Sequence, residues 1–142
     1  FCLWKTKVLV VGNGRIAKIL ADRLKALKCD VTVSARKTRD FAHLDALGIK
    51  YIHTSEVAKK AKDFNIIFNT IDVKLFDELN SLKNCYLYDL STKGCIDFDK
   101  AKQKGIKAQK LPGIPGKIAP LTAGKIIAQT THQLIGEWVC KI

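Results

Sequence analysis

Short continuous apolar runs take turns along this chain with stretches whose apolar residues recur at helical spacing. Residues 7–11 (Lys-Val-Leu-Val-Val) form a short β-branched run that ends in glycine, the pattern of a buried parallel strand. Residues 15–27 follow with apolar side chains at Ile16, Ile19, Leu20, Leu24 and Leu27, which is helical spacing. The exchange then repeats. Residues 30–34, 49–53, 65–69, 85–90 and 106–111 read as further strands. Residues 40–47 closed by Gly48, a segment opened by Ser55 and Glu56 and running to about Lys62, residues 75–82, and residues 97–104 closed by Gly105 read as helices. A Pro/Gly loop over residues 112–120 leads into a last helix, roughly residues 121–135.

Strands alternating with helices in this way predict an α/β architecture: a doubly wound, parallel six-stranded sheet with right-handed crossovers. The expected strand order is 3-2-1-4-5-6, the Rossmann fold. The chain has 142 residues, enough for one domain, and its 47% hydrophobic content supports a real core. No apolar run approaches the ~18 to 20 residues that a membrane span needs, and Phe1-Cys2-Leu3-Trp4 is too short for a signal peptide. The chain contains no Met, not even at its start, and is read as a piece of a longer protein. Residues 1–142 are then a dinucleotide-binding domain whose N-terminal substrate domain is absent.

The five cysteines (Cys2, Cys29, Cys85, Cys95, Cys140) form no Cys-x-x-Cys pair, and no His stands at metal-ligand spacing from one. No metal is expected, and the thiols read as reduced, in a cytoplasmic protein. The net charge of +12 is spread over many lysines, with no basic run interleaved with aromatics. That argues against nucleic acid and for a basic surface that attracts anionic substrates and cofactors.

Gly12-Asn13-Gly14-Arg15-Ile16-Ala17 has the form G-x-G-x-x-A. It follows the first predicted strand and opens the first helix, which is the context that makes such a motif informative. Gly12 allows the tight turn, Gly14 lets the backbone approach a pyrophosphate, and Ala17 lets the helix pack closely on the sheet. The helix N-terminus then favours the phosphate charge. An enzyme that uses NAD usually has Asp or Glu at the end of the second strand. Here the residues are Ser34-Ala35-Arg36-Lys37-Thr38-Arg39. Arg36 can fork onto a 2′-phosphate, with Ser34 and Thr38 as further donors, so NADP is the expected cofactor and NAD stays open.

Ligands of such sheets lie beyond the carboxyl ends of the strands. The nicotinamide side should therefore be lined by Asn69-Thr70-Ile71, by the loop that starts at Ser91, and by Pro112-Gly113. The expected cofactor contacts are Gly12, Asn13, Gly14, Arg15, Ile16, Ser34, Arg36, Lys37, Thr38, Asn69, Thr70, Ile71, Ser91, Pro112 and Gly113. Lys117 is a candidate for a substrate carboxylate or the cofactor, and equally a surface lysine. No catalytic acid-base pair is evident. His43, His53 and His132 read as solvated or capping residues, and Asp89 as structural.

Several segments together resemble one family. They are Val8-Leu-Val-Val-Gly-Asn-Gly-Arg, Ser34-Ala-Arg-Lys, Ile67-Phe-Asn-Thr-Ile, Tyr88-Asp-Leu-Ser-Thr-Lys-Gly and, above all, the stretch from Leu111 to Ile127 that contains Pro-Gly-Ile-Pro-Gly-Lys-Ile-Ala-Pro-Leu-Thr-Ala-Gly. The chain resembles the C-terminal nucleotide-binding domain of the dipicolinate synthase A chain from endospore-forming bacteria. Its Ser91-Thr92-Lys93-Gly94-Cys95 departs from the Ala-Ser-Lys-Pro-Gly-Gly expected there. The resemblance implies an NAD(P)-dependent dehydrogenase that works with the flavoprotein-like second component of dipicolinate synthase, in the mother cell during sporulation. Its dicarboxylate substrate, 4-hydroxy-tetrahydrodipicolinate, loses water and a hydride to give dipicolinate. An oligomer is expected. Shikimate dehydrogenases, with a similar basic turn, and methylene-tetrahydrofolate dehydrogenases, with a similar Pro/Gly loop, are the alternatives of the same fold. A non-catalytic NADP-binding module is the alternative of another class.

Overall fold

A computed structural model describes residues 4–111 and 113–139. Its elements are β1 (Lys7–Val11), α1 (Arg15–Ala26), β2 (Asp30–Ala35), α2 (Thr38–Ala46), β3 (Lys50–His53), α3 (Val57–Lys60), β4 (Ile66–Asn69), β5 (Tyr86–Asp89), α4 (Phe98–Gln103), β6 (Lys107–Lys110), α5 (Ile114–Ile118) and α6 (Pro120–Val139). The strands form one parallel sheet in the order β3-β2-β1-β4-β5-β6, as the alternation predicts. The chain divides into two compact units, Phe1–Pro112 and Gly113–Ile142. The first holds the whole sheet, and in the second α5 packs on α6. None of the described helices is long and apolar enough to cross a membrane.

The central strands are buried on both faces, because side chains alternate across a sheet that carries helices on each side. Leu9, Val11, Ile67 and Leu87 point into one core, closed by Val57, Phe76, Leu82 and Ala101. Val8, Val10, Val31 and Val33 point into the other, closed by Ala17, Ala21, Leu24 and Leu44.

Three sequence expectations change. The predicted apolar stripe of α1 is packed only in part, at Leu24 and the half-buried Leu20. Ala17, Ala21 and Leu24 are buried, whereas Ile16 is 57%, Ile19 63% and Leu27 55% exposed. A helix that must lie close to β1 turns its small residues inward. Residues 75–82 form no α-helix, only a 3₁₀ turn at Asn80–Leu82. The Leu75 amide donates to the Cys95 carbonyl (3.0 Å), which ties the start of this segment to the turn after β5. Phe76, Leu79 and Leu82 are nevertheless buried, so the apolar spacing reports burial correctly and conformation wrongly. Finally, the loop expected over residues 112–120 contains α5.

The inward face of α1 gives a direct check. Ala17→Leu should cost about 1–3 kcal/mol through overpacking against β1. Ile19→Ala should stay within about 0.5 kcal/mol, as an exposed change does. Urea unfolding of the two variants reads both values, and a larger loss for Ile19→Ala would reverse the assigned face.

Candidate functional site

At the end of β1 the chain must reverse into α1 while staying pinned between two neighbouring strands. Gly12 does this at φ +106°, a conformation that L side chains rarely adopt. Its amide donates to the Ser34 carbonyl (3.1 Å) and lies 3.2 Å from Ser34 Oγ, which shares the same N–H. On the other side, the Thr70 amide and hydroxyl both donate to the Val11 carbonyl, at 3.1 and 2.8 Å. A Cβ on Gly12 would lie 2.7 Å from Ile71 Cγ2 and 2.7 Å from Thr70 Oγ1. The residue must be glycine both for its φ and for the space around it.

Gly14 then enters α1 in an extended conformation (φ −79°, ψ −173°). A Cβ there would meet nothing within 4 Å. No side chain caps α1, and no acidic residue sits in its first turn. The first-turn amides are left facing outward at the positive end of the helix, a ready anion site. Beside them, the buried Nδ2 of Asn13 has no hydrogen-bond partner among the described residues.

Gly12, Asn13 and Gly14 open into a cavity of about 260 Å³. Ser34, Ala35, Arg36, Lys37, Arg39, Asp40, Thr54 and Ile71 complete its wall. Arg36 and Arg39 are exposed and make no ion pair among the described residues. The start of α2 has no side-chain cap either. With Lys37 the rim carries three cationic side chains against the single carboxylate of Asp40.

The structure brings Gly12, Asn13, Gly14, Ser34, Arg36, Lys37 and Ile71 together from the residues expected at the cofactor. Ser34 is fully buried, and its Oγ lies against Gly12 N and, at 3.4 Å, Thr54 Oγ1, so it braces the glycine turn. Arg15, Ile16 and Thr38 are exposed and do not line the cavity. Pro112 lies outside the described residues, and Gly113 and Lys117 belong to the second unit. Arg39, Asp40 and Thr54 are lining residues that the motifs do not reveal. The register offers a signal for Thr54: His53 pairs with Ala35, so the next residue of the chain falls beside the end of β2.

Asn69, Thr70 and Ser91 serve internal bonds. Asn69 is fully buried: its Nδ2 donates to Ile71 O (2.8 Å) and Asp89 Oδ1 (2.9 Å). Asp89 is also buried, and accepts from the amides of Ser91 (2.9 Å) and Cys95 (2.7 Å). Burial pushes its carboxyl up. Hydrogen bonds from the Ser91 hydroxyl, the Asn69 amide and those two backbone amides outweigh burial and hold it below the ordinary range. The Cys95 thiol is pushed far up by burial and then by the Asp89 charge, and burial raises Cys85 to about 11. Neither is a reactive thiolate. The described residues contain no group of side chains able to hold a metal ion.

No protein-family model matches the chain. The chain is similar to the dipicolinate synthase A chain of Bacillus subtilis (strain 168), with 35% identity over 136 residues, which cover 93% of this chain and 46% of that protein. The crystal structure of the same Bacillus subtilis protein superimposes with a TM-score of 0.92 at 33% identity, over 100% of this chain and 49% of that one. Shikimate dehydrogenase from Thermotoga maritima aligns with a TM-score of 0.58 at 26% identity, over 78% of this chain and 46% of that one. The chain thus spans about half the length of the relatives it matches. The resemblance read from its motifs holds along nearly its whole length.

Two expectations follow from the geometry. Gly12→Ala should lower the melting temperature and destabilise the fold by more than about 1 kcal/mol, because φ and contact both oppose it. Gly14→Val should melt near the unsubstituted protein, since nothing opposes its side chain. For Asp89, a depressed folded pKa means stability that is present above the unfolded value, about 3.9, and lost as pH falls through the folded value below it. The stability gap between the unsubstituted protein and Asp89→Asn should be constant above about pH 5 and narrow below about pH 3.9. Urea titrations across pH measure it, and a gap that widens in acid would contradict the ionised carboxylate.

Proposed function

We propose that this chain is the NADP-binding half of a dehydrogenase, and that the whole protein acts as the dehydrogenase component of dipicolinate synthase. The observation that carries the nucleotide reading is one cavity joining an uncapped helix N-terminus to two unpaired arginines at the end of β2. The residues fit a dinucleotide: Gly14 leaves open the space a pyrophosphate needs, and Asn13 offers a buried donor with no partner among the described residues. Arg36, with Arg39 beside it, meets a 2′-phosphate, where an enzyme for NAD would present a carboxylate at the end of β2. Bound there, a nicotinamide cofactor supplies hydride acceptance, and the protein supplies position and charge.

Similarity to the dipicolinate synthase A chain supports the choice of reaction. In this reading, hydroxylated tetrahydrodipicolinate loses water, then a hydride to the oxidised nicotinamide cofactor and a proton to a base, and aromatisation of the ring drives the step. The described residues of the cleft present no acid-base pair for those proton transfers. The other half of the protein, or the flavoprotein-like second component of the synthase, supplies them. The basic cleft suits the dicarboxylate, and the setting is the cytoplasm of a sporulating cell.

Calorimetry should show tighter binding of NADP than of NAD. Arg36→Glu should remove the preference, at a cost of about 1–3 kcal/mol for the lost charge-assisted contact. Equal affinity for both cofactors in the unsubstituted protein would sink the NADP choice. Gly14→Val should fold yet bind neither cofactor, since its side chain fills the pyrophosphate space. The full-length protein with its flavoprotein-like partner, given precursor made enzymatically in place, should produce the ultraviolet band of the aromatic product together with reduced cofactor. Reduction of dehydroshikimate instead would move the protein to the shikimate dehydrogenases. Cofactor binding without any turnover would make it a binding module.

A further inference from the structure

The carboxyl ends of β4 and β5 carry a hydrogen-bond network centred on Asp89, a residue to which the nucleotide reading gives no role. Asp89 ends β5 directly opposite Asn69, the last residue of β4. One oxygen, Oδ1, accepts from Asn69 Nδ2 (2.9 Å) and from the Ser91 amide (2.9 Å). The other, Oδ2, accepts from the Cys95 amide at 2.7 Å. A single carboxylate therefore ties the strand beside it to both ends of the turn that follows it.

The two arms of this network lead to different places. Through Ser91 and Cys95 it shapes residues 91–95. Ser91 Oγ accepts from the Gly94 amide (3.1 Å), and Gly94 adopts φ +96°. Through Asn69 it reaches the cofactor cavity. Asn69 Nδ2 donates to the Ile71 carbonyl at 2.8 Å, and the Ile71 amide approaches Asn69 Oδ1 at 3.3 Å. Ile71 lines the cavity, and its Cγ2 lies 2.7 Å from where a Cβ on Gly12 would stand. In a sheet of this order, β2 marks the adenosine side, and the ends of β4 and β5 face the nicotinamide side.

We propose that Asp89 is a positioning residue for the nicotinamide half of the site: its buried carboxylate sets the 91–95 turn and, through Asn69, the Ile71 wall. The inference rests on the nicotinamide-cofactor reading above and goes beyond it. Asp89 touches no ligand itself. It acts because a carboxylate is the one side chain of this size with two acceptor oxygens and no donor, so it can satisfy three convergent N–H groups at once. An amide in its place keeps one acceptor and turns an NH₂ toward an N–H donor. Part of the network must then open.

A brace that only holds the fold and a residue that positions half of a ligand predict different binding. The test uses the full chain with two probes: 2′,5′-ADP, which spans the adenosine side alone, and NADPH, which spans both sides. Asp89→Asn should weaken NADPH by about ten-fold or more and abolish the shift in reduced-nicotinamide fluorescence on binding, while 2′,5′-ADP, which meets the network only at the Ile71 wall, weakens by no more than about two-fold. Ser91→Ala keeps the Asp89 contacts with the backbone and removes the Gly94 acceptor and the hydroxyl bond to Asp89. It should weaken NADPH by a smaller factor, again with 2′,5′-ADP unchanged, and it keeps the question open to measurement if Asp89→Asn does not fold. Parallel loss of both probes in Ser91→Ala, or unchanged NADPH binding in either folded variant, would overturn the proposal. An unsubstituted chain that binds neither probe would instead overturn the nucleotide reading, and this inference with it.

Discussion

The left-handed turn at Gly12 is the constraint on which the rest of the site depends. The end of β1 is held on one side by Ser34 of β2 and on the other by Thr70 after β4. Between those anchors the chain has to turn within one residue and start a helix. Only a residue without a Cβ satisfies both the φ and the 2.7 Å approaches of Ile71 and Thr70. Once that turn is made, the direction of α1 and the exposure of its first-turn amides follow, because helix geometry leaves those amides without internal partners. The Ala17 and Ala21 face of α1 is a second consequence: a helix that starts this close to the sheet has room only for small side chains beneath it.

The sheet supplies the other half of the explanation. β1 and β4 are neighbours without being consecutive, so the chain leaves the sheet after β3 and returns on the far side of β1. That reversal opens a crevice between the loops after β1 and β4. Gly12 to Gly14 and Ile71 stand on its two sides, and both line the same cavity. The place of the site is thus a property of topology, and its chemistry is a property of the few residues that topology brings there.

This division explains what can be read from the amino-acid sequence. Buried parallel strands announce themselves as β-branched runs, so β1 is found with its bounds intact and the strand order follows from alternation alone. The glycine pair is legible because its spacing has a mechanical reason. The facing of α1 is not legible from apolar spacing, since Ile16 and Ile19 complete a good helical stripe yet point outward. Residues 75–82 mislead for a related reason: Phe76, Leu79 and Leu82 repeat at helical intervals and are buried, yet the segment forms only a 3₁₀ turn at Asn80–Leu82. Ser34 and Asn69 read as ligand contacts, and both are buried and hydrogen-bonded within the fold, Ser34 while lining the cavity. A polar residue at a strand end looks the same in sequence whether it faces a ligand or an internal N–H.

The two ends of the cleft are built on opposite electrostatic plans, and this bears on how each can change. At the β2 end, Arg36, Lys37 and Arg39 are exposed cations with water available to them. Exchanging one alters a charge in a screened medium, so the effect is graded and the fold does not depend on it. At the β5 end, the charge of Asp89 is buried and held by three geometrically fixed donors. In such surroundings an unmatched group costs its full desolvation, and no water is at hand to soften the loss. The charge of the rim can therefore change by single substitutions while the fold stays intact. The shape of the opposite wall changes only when Asp89, Asn69 and the 91–95 turn change together. The departure of Ser91-Thr92-Lys93-Gly94-Cys95 from the pattern expected for the dipicolinate synthase A chain falls on the loop that this carboxylate organises. Its side chains project from a turn whose Ser91 and Cys95 amides donate to Asp89. Backbone bonds of this kind leave the side chains of the loop free to vary while its frame is held.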